Sequence, residues 1–478
     1  MEQKIYGSGE VIKMGIFETI RGAVMKLLNI NDAKALGSNM SPYMDEAVRS
    51  WEDLFYLTDQ PPHSLKTAQT LTNYVATLAT SELTLDAGAG TRGEFIKAQT
   101  EKNLLPNLVD AVQLAGAGGM AAIKPYVRGE NIYVEIIPRN RVFPRVWGPN
   151  HRIEAGYLTD YDKDKEKRPV VRVENFEVLP EGLHITNKAY RLKEGNLMGG
   201  EIALNSVDRW AGLQPDFIIQ GVDRPHIGII RMPFANTVDG SDYPVSLYAN
   251  AIDSIVQLDK TYYDFFWERD TGKRRMILDR SVAMKDPVNG KPAIPFRELS
   301  SDYYMTLDMP EDKEPWDDYT PQMRFEDYKL AMETQFRLLE LQVGLSQGTF
   351  AIDPKTGRVT ATQVISEDRT TYNTIKAIQD RGMTAGLLDV LYWFDAYASI
   401  YRLSPAGAFK PSVTFGDSIF EDTGVEFQRR KALADGKYIR PELLTSWYFG
   451  VSEEKARGML PCEPSPDSIL FGKSHAGA

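Results

Sequence analysis

The sequence predicts an α+β chain of several domains, and three observations carry that prediction. A length of 478 residues leaves room for two to four domains with substantial cores. The apolar spacing changes from a helical period to strict alternation near Ala121, and back to a helical period near Pro244. Beyond Gly348 a short loop opens into a helical pattern running to about Arg402. There Ile365, Tyr372, Ile375, Ile378, Met383, Leu387, Val390, Phe394, Tyr397 and Tyr401 recur mostly three or four apart. Unbroken, some forty residues at about 1.5 Å each would make a rod of roughly 60 Å, far longer than an ordinary globular helix. Such a rod suits the bracing of a large assembly better than the lining of a pocket.

The elements follow in order. Ser41 to about Leu83 reads as helical in two pieces around Pro61-Pro62, with Trp51, Leu54, Phe55 and then Leu71, Val75 and Leu78 facing inward. After the Gly-rich turn DAGAGTRG a further helix runs through Phe95, Leu104, Leu108, Val112 and Leu114. AAIKPYV, RGEN and IYVEIIP spell a hairpin, and RNRVFPRVW, YLTDYD, VVRVENFEV, LHITNKAYRL and FIIQGV continue as strands to near Ile230. A helix is expected from Pro244 to Arg269, with Ile255, Leu258, Tyr262 and Phe265 in one stripe, widened by Ile252, Val256, Tyr263 and Phe266. An apolar face that broad must be covered on more than one side. A second helix, Met323 to Leu345, aligns Phe325, Tyr328, Met332, Phe336, Leu339 and Val343. The two bracket a small module rich in turns and β-like runs, which suggests a projection on stalks. Pro405 and Pro411 stop the long helix, SVTFGDSIFED gives a strand and turn, and three short helices follow at Val425–Ala434, Pro441–Phe449 and Ser452–Leu460.

Composition narrows the function classes. A net charge of −11 argues against non-specific coating of nucleic acid by the whole chain. The single Cys462 excludes a disulfide framework and a multi-cysteine metal site, and suggests assembly in a reducing compartment. His63, His151, His184, His226 and His475 never fall at the spacing of a helical metal motif, so neither metal nor cofactor is expected. No stretch approaches the roughly eighteen apolar residues of a membrane span. The amphipathic MGIFETIRGAVMKLLNI reads as a packed or partner-binding helix, rather than a membrane anchor or a secretory signal.

The polar motifs mostly read as structure. Gly116, Gly118 and Gly119 in LAGAGGMAAIKP lie between a helix and a strand, the inverse of a phosphate loop, and read as a tight turn for close packing. Asp162 and Asp164 alternate with lysines, as at a solvated hairpin tip. Asp312, Glu314, Asp317 and Asp318 have no basic partner placed by sequence and read as a solvated or subunit-facing acidic patch. Lys273, Arg274 and Arg275 are three adjacent cations at the tip of a stalk, suited either to a polyanion or to an acidic face of a neighbouring subunit. Lys355 and Arg358 flank Gly357 in DPKTGR, just before the long helix, as exposed charges or as transient contacts to nucleic-acid phosphates. The tail DGKYIRPELLTSWYFGVSEEKA has helix-turn-helix spacing, but its second helix is short of cations.

GLSQGTFAID followed by GRVTATQVISEDRTTYNTI, with Thr360 to Asp368 as its sharpest piece, resembles the portal proteins of tailed bacteriophages. The match runs in order from about residue 40 to 460. GAGGMAAIKPYV with IIPRNRVFP is similar to the family's wing region, and GKYIRPELLTSWYFGVSEEKA resembles its crown. The resemblance implies an α+β, multi-domain portal fold. It places an N-terminal arm at 1–40, a wing at 41–243 with 411–420 returning to it, and stem helices at 244–270 and 323–346. A small α/β clip falls at 271–322, a tunnel loop at 347–359, a spine helix at 360–403, a crown at 421–460 and a tail at 461–478. It further implies a ring of about twelve copies at one capsid vertex, a channel for double-stranded DNA, and no enzymatic activity of its own. The implied partners are the large terminase, head-completion or adaptor proteins, the major capsid protein and a scaffold protein, with no membrane. Lys355 and Arg358 would face the DNA, and Lys273, Arg274 and Arg275 would meet partners or a neighbouring subunit. Ile255, Leu258, Tyr262, Phe265, Phe336 and Leu339 would pack the stem. Two other classes stand beside this reading: a metal-dependent nucleic-acid enzyme using Asp/Glu ligands, and another virion component such as a head-tail adaptor or a scaffold.

Overall fold

Helix α1 (Pro42–Tyr56) begins where the sequence supplies its cap: Ser41 Oγ accepts the Met44 N–H at 3.1 Å, and Pro42 occupies the first turn. The computed structural model describes residues 40–57, 63–192, 198–273, 275–279, 304–307, 314, 316–319, 321–351, 369–416, 423–451 and 453–460. They fall into two compact units, one of Met1–Thr356 with Thr370–Phe415, the other of Gly357–Arg369 with Gly416–Ala478.

In the first unit, α2 (Thr67–Thr80) is followed by strand β1 (Leu83–Asp86), so the helical reading stops short of Leu83. The partner of β1 is more than three hundred residues away, at Ser412–Phe415, and no local pattern announces it. The single helix expected after the Gly-rich turn is two, α3 (Thr91–Asn103) and α4 (Leu108–Gly118). Pro106, in the 3-10 turn between them, has no N–H with which to continue the helical ladder. Gly119 closes α4 at φ +87°, where a Cβ would stand 2.3 Å from the Pro244 carbonyl oxygen; the glycine is required by close packing, as expected.

The expected hairpin forms from β2 (Met120–Arg128) and β3 (Asn131–Pro138), with Arg128 opposite Asn131 at its tip. Then come β4 (Val142–Trp147), β5 (Ile153–Lys163), β6 (Pro169–Leu179), β7 (Gly182–Leu192), β8 (Met198–Ile202) and β9 (Asp216–Gln220). They make one antiparallel six-stranded sheet, in which β8 and β9 share an edge of β7. β10 (Gly228–Arg231) joins the hairpin in a three-stranded sheet ordered β10-β2-β3. The core between the two sheets holds Met120, Ile137, Ile153, Phe176, Leu183 and Ile229, together with Trp393 from far along the chain.

The helix expected from Pro244 starts only at Ile252, as α5 (Ile252–Thr271). Ser246 Oγ and the Leu247 N–H both donate to the Gly116 carbonyl at 2.9 Å, so this segment ties down the end of α4 instead of winding. β11 (Arg275–Asp279), β12 (Tyr304–Leu307) and β13 (Trp316–Tyr319) form a second three-stranded sheet, with β12 parallel and β13 antiparallel to β11. The returning helix α6 (Phe325–Val343) ends at Gly344, in the left-handed conformation of a helix C-cap.

The long helix is described from Arg369 to Ile400, and it is not an uninterrupted α-helix. α7 (Arg369–Ala377) passes through a π-helical turn, Ile378–Met383, into α8 (Thr384–Ile400). Side chains hold the wider turn: Thr384 Oγ1 donates to the Gln379 carbonyl at 2.9 Å, and Gln379 Nε2 donates to the Ala79 carbonyl at 3.1 Å. Ile375, Ile378, Leu387, Val390, Trp393 and Phe394 are fully buried. Gly382 and Gly386, four apart, let the helix backbone press on β10: a Cβ would lie 2.3 Å from the Arg231 carbonyl oxygen at the first and 2.1 Å from that of Ile229 at the second. β14 (Ser412–Phe415) then pairs antiparallel with β1.

The second unit contains α9 (Thr423–Asp435), α10 (Pro441–Phe449) and α11 (Glu453–Met459), near the three helices expected. Arg430 lies over the Trp447 ring at 4.5 Å, and Arg457 pairs with Glu442 at 3.4 Å. Among the described residues, no helix is long and apolar enough to cross a membrane.

Candidate functional site

Helices α5 and α6 run antiparallel, since their contacts pair rising with falling residue numbers. Thr261 meets Gln335 at 3.0 Å, the Phe265 and Tyr328 rings lie 5.9 Å apart, and Glu268 meets Arg324 at 2.7 Å. That last pair clasps the end next to the small sheet. The hydrogen bond from Arg324, and then that from Tyr328, lowers the Glu268 carboxyl to about 2. At the opposite end Ile255, Leu258 and Leu339 are buried within the single chain. Between the two ends, Tyr262, Phe265 and Phe336 are half-buried and line an apolar cleft of about 520 Å³ with Leu65, Phe325, Met332 and Phe350. The residues expected to pack the stem therefore share the inner side of the helix pair.

The outer side is bare. On α6, Leu330, Leu338 and Leu341 are 65%, 50% and 67% exposed. At about 100° per residue, these three lie roughly opposite the face carrying Phe325, Met332 and Phe336. On α5, Val256 and Trp267 are exposed as well. The same two helices thus present a ridge on one side and a cleft on the other.

The chain leaves α6 under tight control. The Glu340 carboxylate, wholly buried, accepts the N–H groups of Gly348 at 2.7 Å and Phe350 at 2.6 Å. Ser346 and Thr371 bind each other three times: the Ser346 N–H donates to Thr371 Oγ1 at 2.8 Å, the Thr371 N–H donates to Ser346 Oγ at 3.2 Å, and Thr371 Oγ1 donates to Ser346 Oγ at 3.0 Å. Thr374 Oγ1 adds a bond to the Gly344 carbonyl at 2.6 Å. Residues 344–346 and 371–374 are thereby held side by side. The two threonines belong to the TTYNTI stretch.

Lys273 is exposed, with Nζ 3.9 Å from Asp270, and Arg275 opens β11 opposite Tyr319. Arg274, Lys355, Arg358 and Asp312 lie outside the described residues, as does the Thr360–Asp368 motif. Asp317 and Asp318 stand in β13, opposite Ile277 and Met276. Asp164 departs from the reading as a solvated tip: it is buried and accepts the N–H groups of Glu166 and Arg168 and the Arg168 guanidinium, closing the β5–β6 turn. Burial opposes its charge, but those donors hold its carboxyl below the ordinary value.

A polar cluster in the first unit was not legible in the sequence. Glu174 accepts from Lys124 Nζ at 2.5 and 2.6 Å and from Arg172 at 2.6 Å, and it meets His226 Nε2 at 2.5 Å. Burial works against the Glu174 charge, yet Lys124, His226 and Arg172 keep its carboxyl well below the usual range. Burial, aided by the Lys124 charge, pushes the His226 imidazole below its ordinary value. Lys124 and His226 lie fifty or more residues from the Arg172–Glu174 pair of β6, and each alone looks like an ordinary residue of a β-rich stretch.

No known family's sequence profile matches the chain, and no curated protein does. Among solved structures, it is similar to a chain in the virion of a native gene transfer agent particle. That match has 10% identity and a TM-score of 0.42, covering 85% of this chain and 93% of that one. It is also similar to a chain in the neck of the native particle computed with C12 symmetry, at 11% identity and a TM-score of 0.37, covering 85% and 96%.

Proposed function

We propose that the chain is the subunit of a portal-type ring, a virion conduit through which double-stranded DNA is packaged and released. The observation that carries this is the two-sided helix pair, with a bare leucine ridge on one side of α6 and an apolar cleft on the other. A contact joining unlike faces is head-to-tail, and such contacts build a ring where the rotation from copy to copy closes. The occupant of the cleft is therefore the ridge of the next copy. The resemblance implies about twelve copies, which would put the ring at a charge on the order of −130. A duplex slides through such a channel instead of being gripped along its length.

Within this reading Lys355 and Arg358 supply sparse cations facing the DNA. The small sheet at the end of the helix pair, with Lys273, Arg274 and Arg275, is the docking end for the large terminase and then for head-completion or adaptor proteins. The β-rich body faces the capsid protein and scaffold at the portal vertex. No catalytic step belongs to the chain; the work of translocation comes from a partner ATPase.

Negative-stain imaging of the purified protein tests the proposal: annular particles with a central hole are expected. A protein that stays monomeric at every concentration would end it. Packaging assays with a Lys355→Ala/Arg358→Ala variant test the DNA-facing role, for which less DNA per particle is expected. Unchanged packaging and retention would remove that role.

A further inference from the structure

A second cleft, of about 900 Å³, opens between the β2–β3 hairpin, the six-stranded sheet and the C-terminal end of α8. Its size is that of a ligand site, and the ring reading gives it no task. Its floor is the Lys124–Glu174–Arg172 cluster, with Asp160 beside it. Asp160 accepts from Arg209, from Trp210 Nε1 at 3.0 Å and from Arg141 at 3.2 Å. Glu135 accepts from Arg141 at 3.0 Å.

The donor and acceptor inventory is lopsided. All three carboxylates of the cleft are engaged, Glu174 by three partners and Asp160 by four, since Arg172 also lies 3.7 Å from Asp160. The cations are not used up: Arg172 Nε is buried without a partner, and Arg209 offers Asp160 only one nitrogen. Arg128 is exposed at the rim, with no ion-pair partner among the described residues. A guanidinium carries five N–H donors and accepts nothing, so unspent donors facing saturated acceptors call for an incoming anion. The rim adds aromatic surface: Tyr126, stacked on Tyr133 at 5.9 Å, and Tyr401 are both exposed, and Phe217 and Ile219 line the wall.

We infer that this cleft binds an acidic peptide segment, one or two carboxylate side chains set beside an aromatic or aliphatic residue. The carboxylate meets Arg128 and Arg209, while its apolar neighbour lies against Tyr126, Tyr401 and Phe217. A nucleic-acid strand suits the cleft less well, because a chain of net charge −11 repels a long polyanion more than a short segment with one or two charges. The cleft is formed within one chain, so its occupancy does not depend on whether copies close into a ring.

Fluorescence anisotropy with a labelled hexapeptide containing Asp, Phe, Glu and Leu tests the inference on the full chain. Saturable binding is expected, weakened at least about tenfold by Arg128→Glu and several-fold by Tyr401→Ala, both exposed positions whose change leaves the melting temperature in place. The same hexapeptide with lysines in place of its acids should not bind. Absence of saturable binding would overturn the inference, as would an Arg128→Glu protein that binds as well as the unaltered chain. So would a short labelled oligothymidylate that binds as tightly as the acidic peptide.

Discussion

Replacing Leu338 and Leu341 by aspartate is the most direct test of how copies associate. In the single chain these side chains are 50% and 67% exposed, so two aspartates there should change monomer stability by no more than about 0.5 kcal/mol each. In the proposed ring they would enter the cleft lined by Tyr262, Phe265 and Phe336 of the next copy. Burying a whole leucine is worth roughly 1.5–3 kcal/mol, and half to two-thirds of each side chain remains to be buried. The pair therefore contributes about 2–4 kcal/mol to every contact, before any cost of forcing a carboxylate into an apolar cleft. That is a weakening of roughly thirty-fold to a thousand-fold in subunit association. Sedimentation velocity across a concentration series, with thermal unfolding of the same samples, separates the two effects. The variant should remain monomeric where the unaltered chain forms rings, and should melt at the monomer's temperature. Assembly at the unaltered concentration would refute the ridge-in-cleft contact. A large fall in monomer stability would refute it as well, because the leucines would then be packed at home.

Three further outcomes follow from the packing and the charges. Gly386→Ala should destabilise the first unit by about 1–3 kcal/mol in a denaturant titration, because the added methyl meets the Ile229 backbone rather than a side chain that can swing away; an unchanged midpoint would show that α8 can stand off from β10. Glu174→Ala should cost about 3–5 kcal/mol by the same measurement, since it strands Lys124 and Arg172 in a buried site, and adding Lys124→Met should recover part of the loss. Glu268 titrates at about 2, below its ordinary value, so its clasp on Arg324 contributes fully above that ordinary value and fades as pH falls through the lowered one. The gap in melting temperature between the unaltered chain and Glu268→Gln should hold steady above about pH 5 and shrink steadily toward pH 2; a gap independent of pH would mean that the clasp does not form.

The amino-acid order alone determined what short-range periodicity can carry. The β2–β3 hairpin, the run of strands to Gln220, the two helices around a small module and the three C-terminal helices all have their apolar spacing and turn residues in one continuous stretch. Gly119 was legible for the same reason, as a glycine caught between a helix and a strand. Tertiary structure decided what depends on a distant partner. β1 is a strand because Ser412–Phe415 lies beside it, and Pro244–Tyr248 stays unwound because Gly116 takes its hydrogen bonds. The long helix widens into a π turn because Gln379 reaches Ala79 and Gly386 must meet Ile229. The inner and outer sides of α5 and α6 could not be told apart from spacing, since both sides are apolar and only the fold shows which one the chain itself covers. The Glu174 cluster was invisible for a related reason: the carboxylate and arginine of β6, a lysine of β2 and a histidine just before β10 become one buried network only when three segments converge.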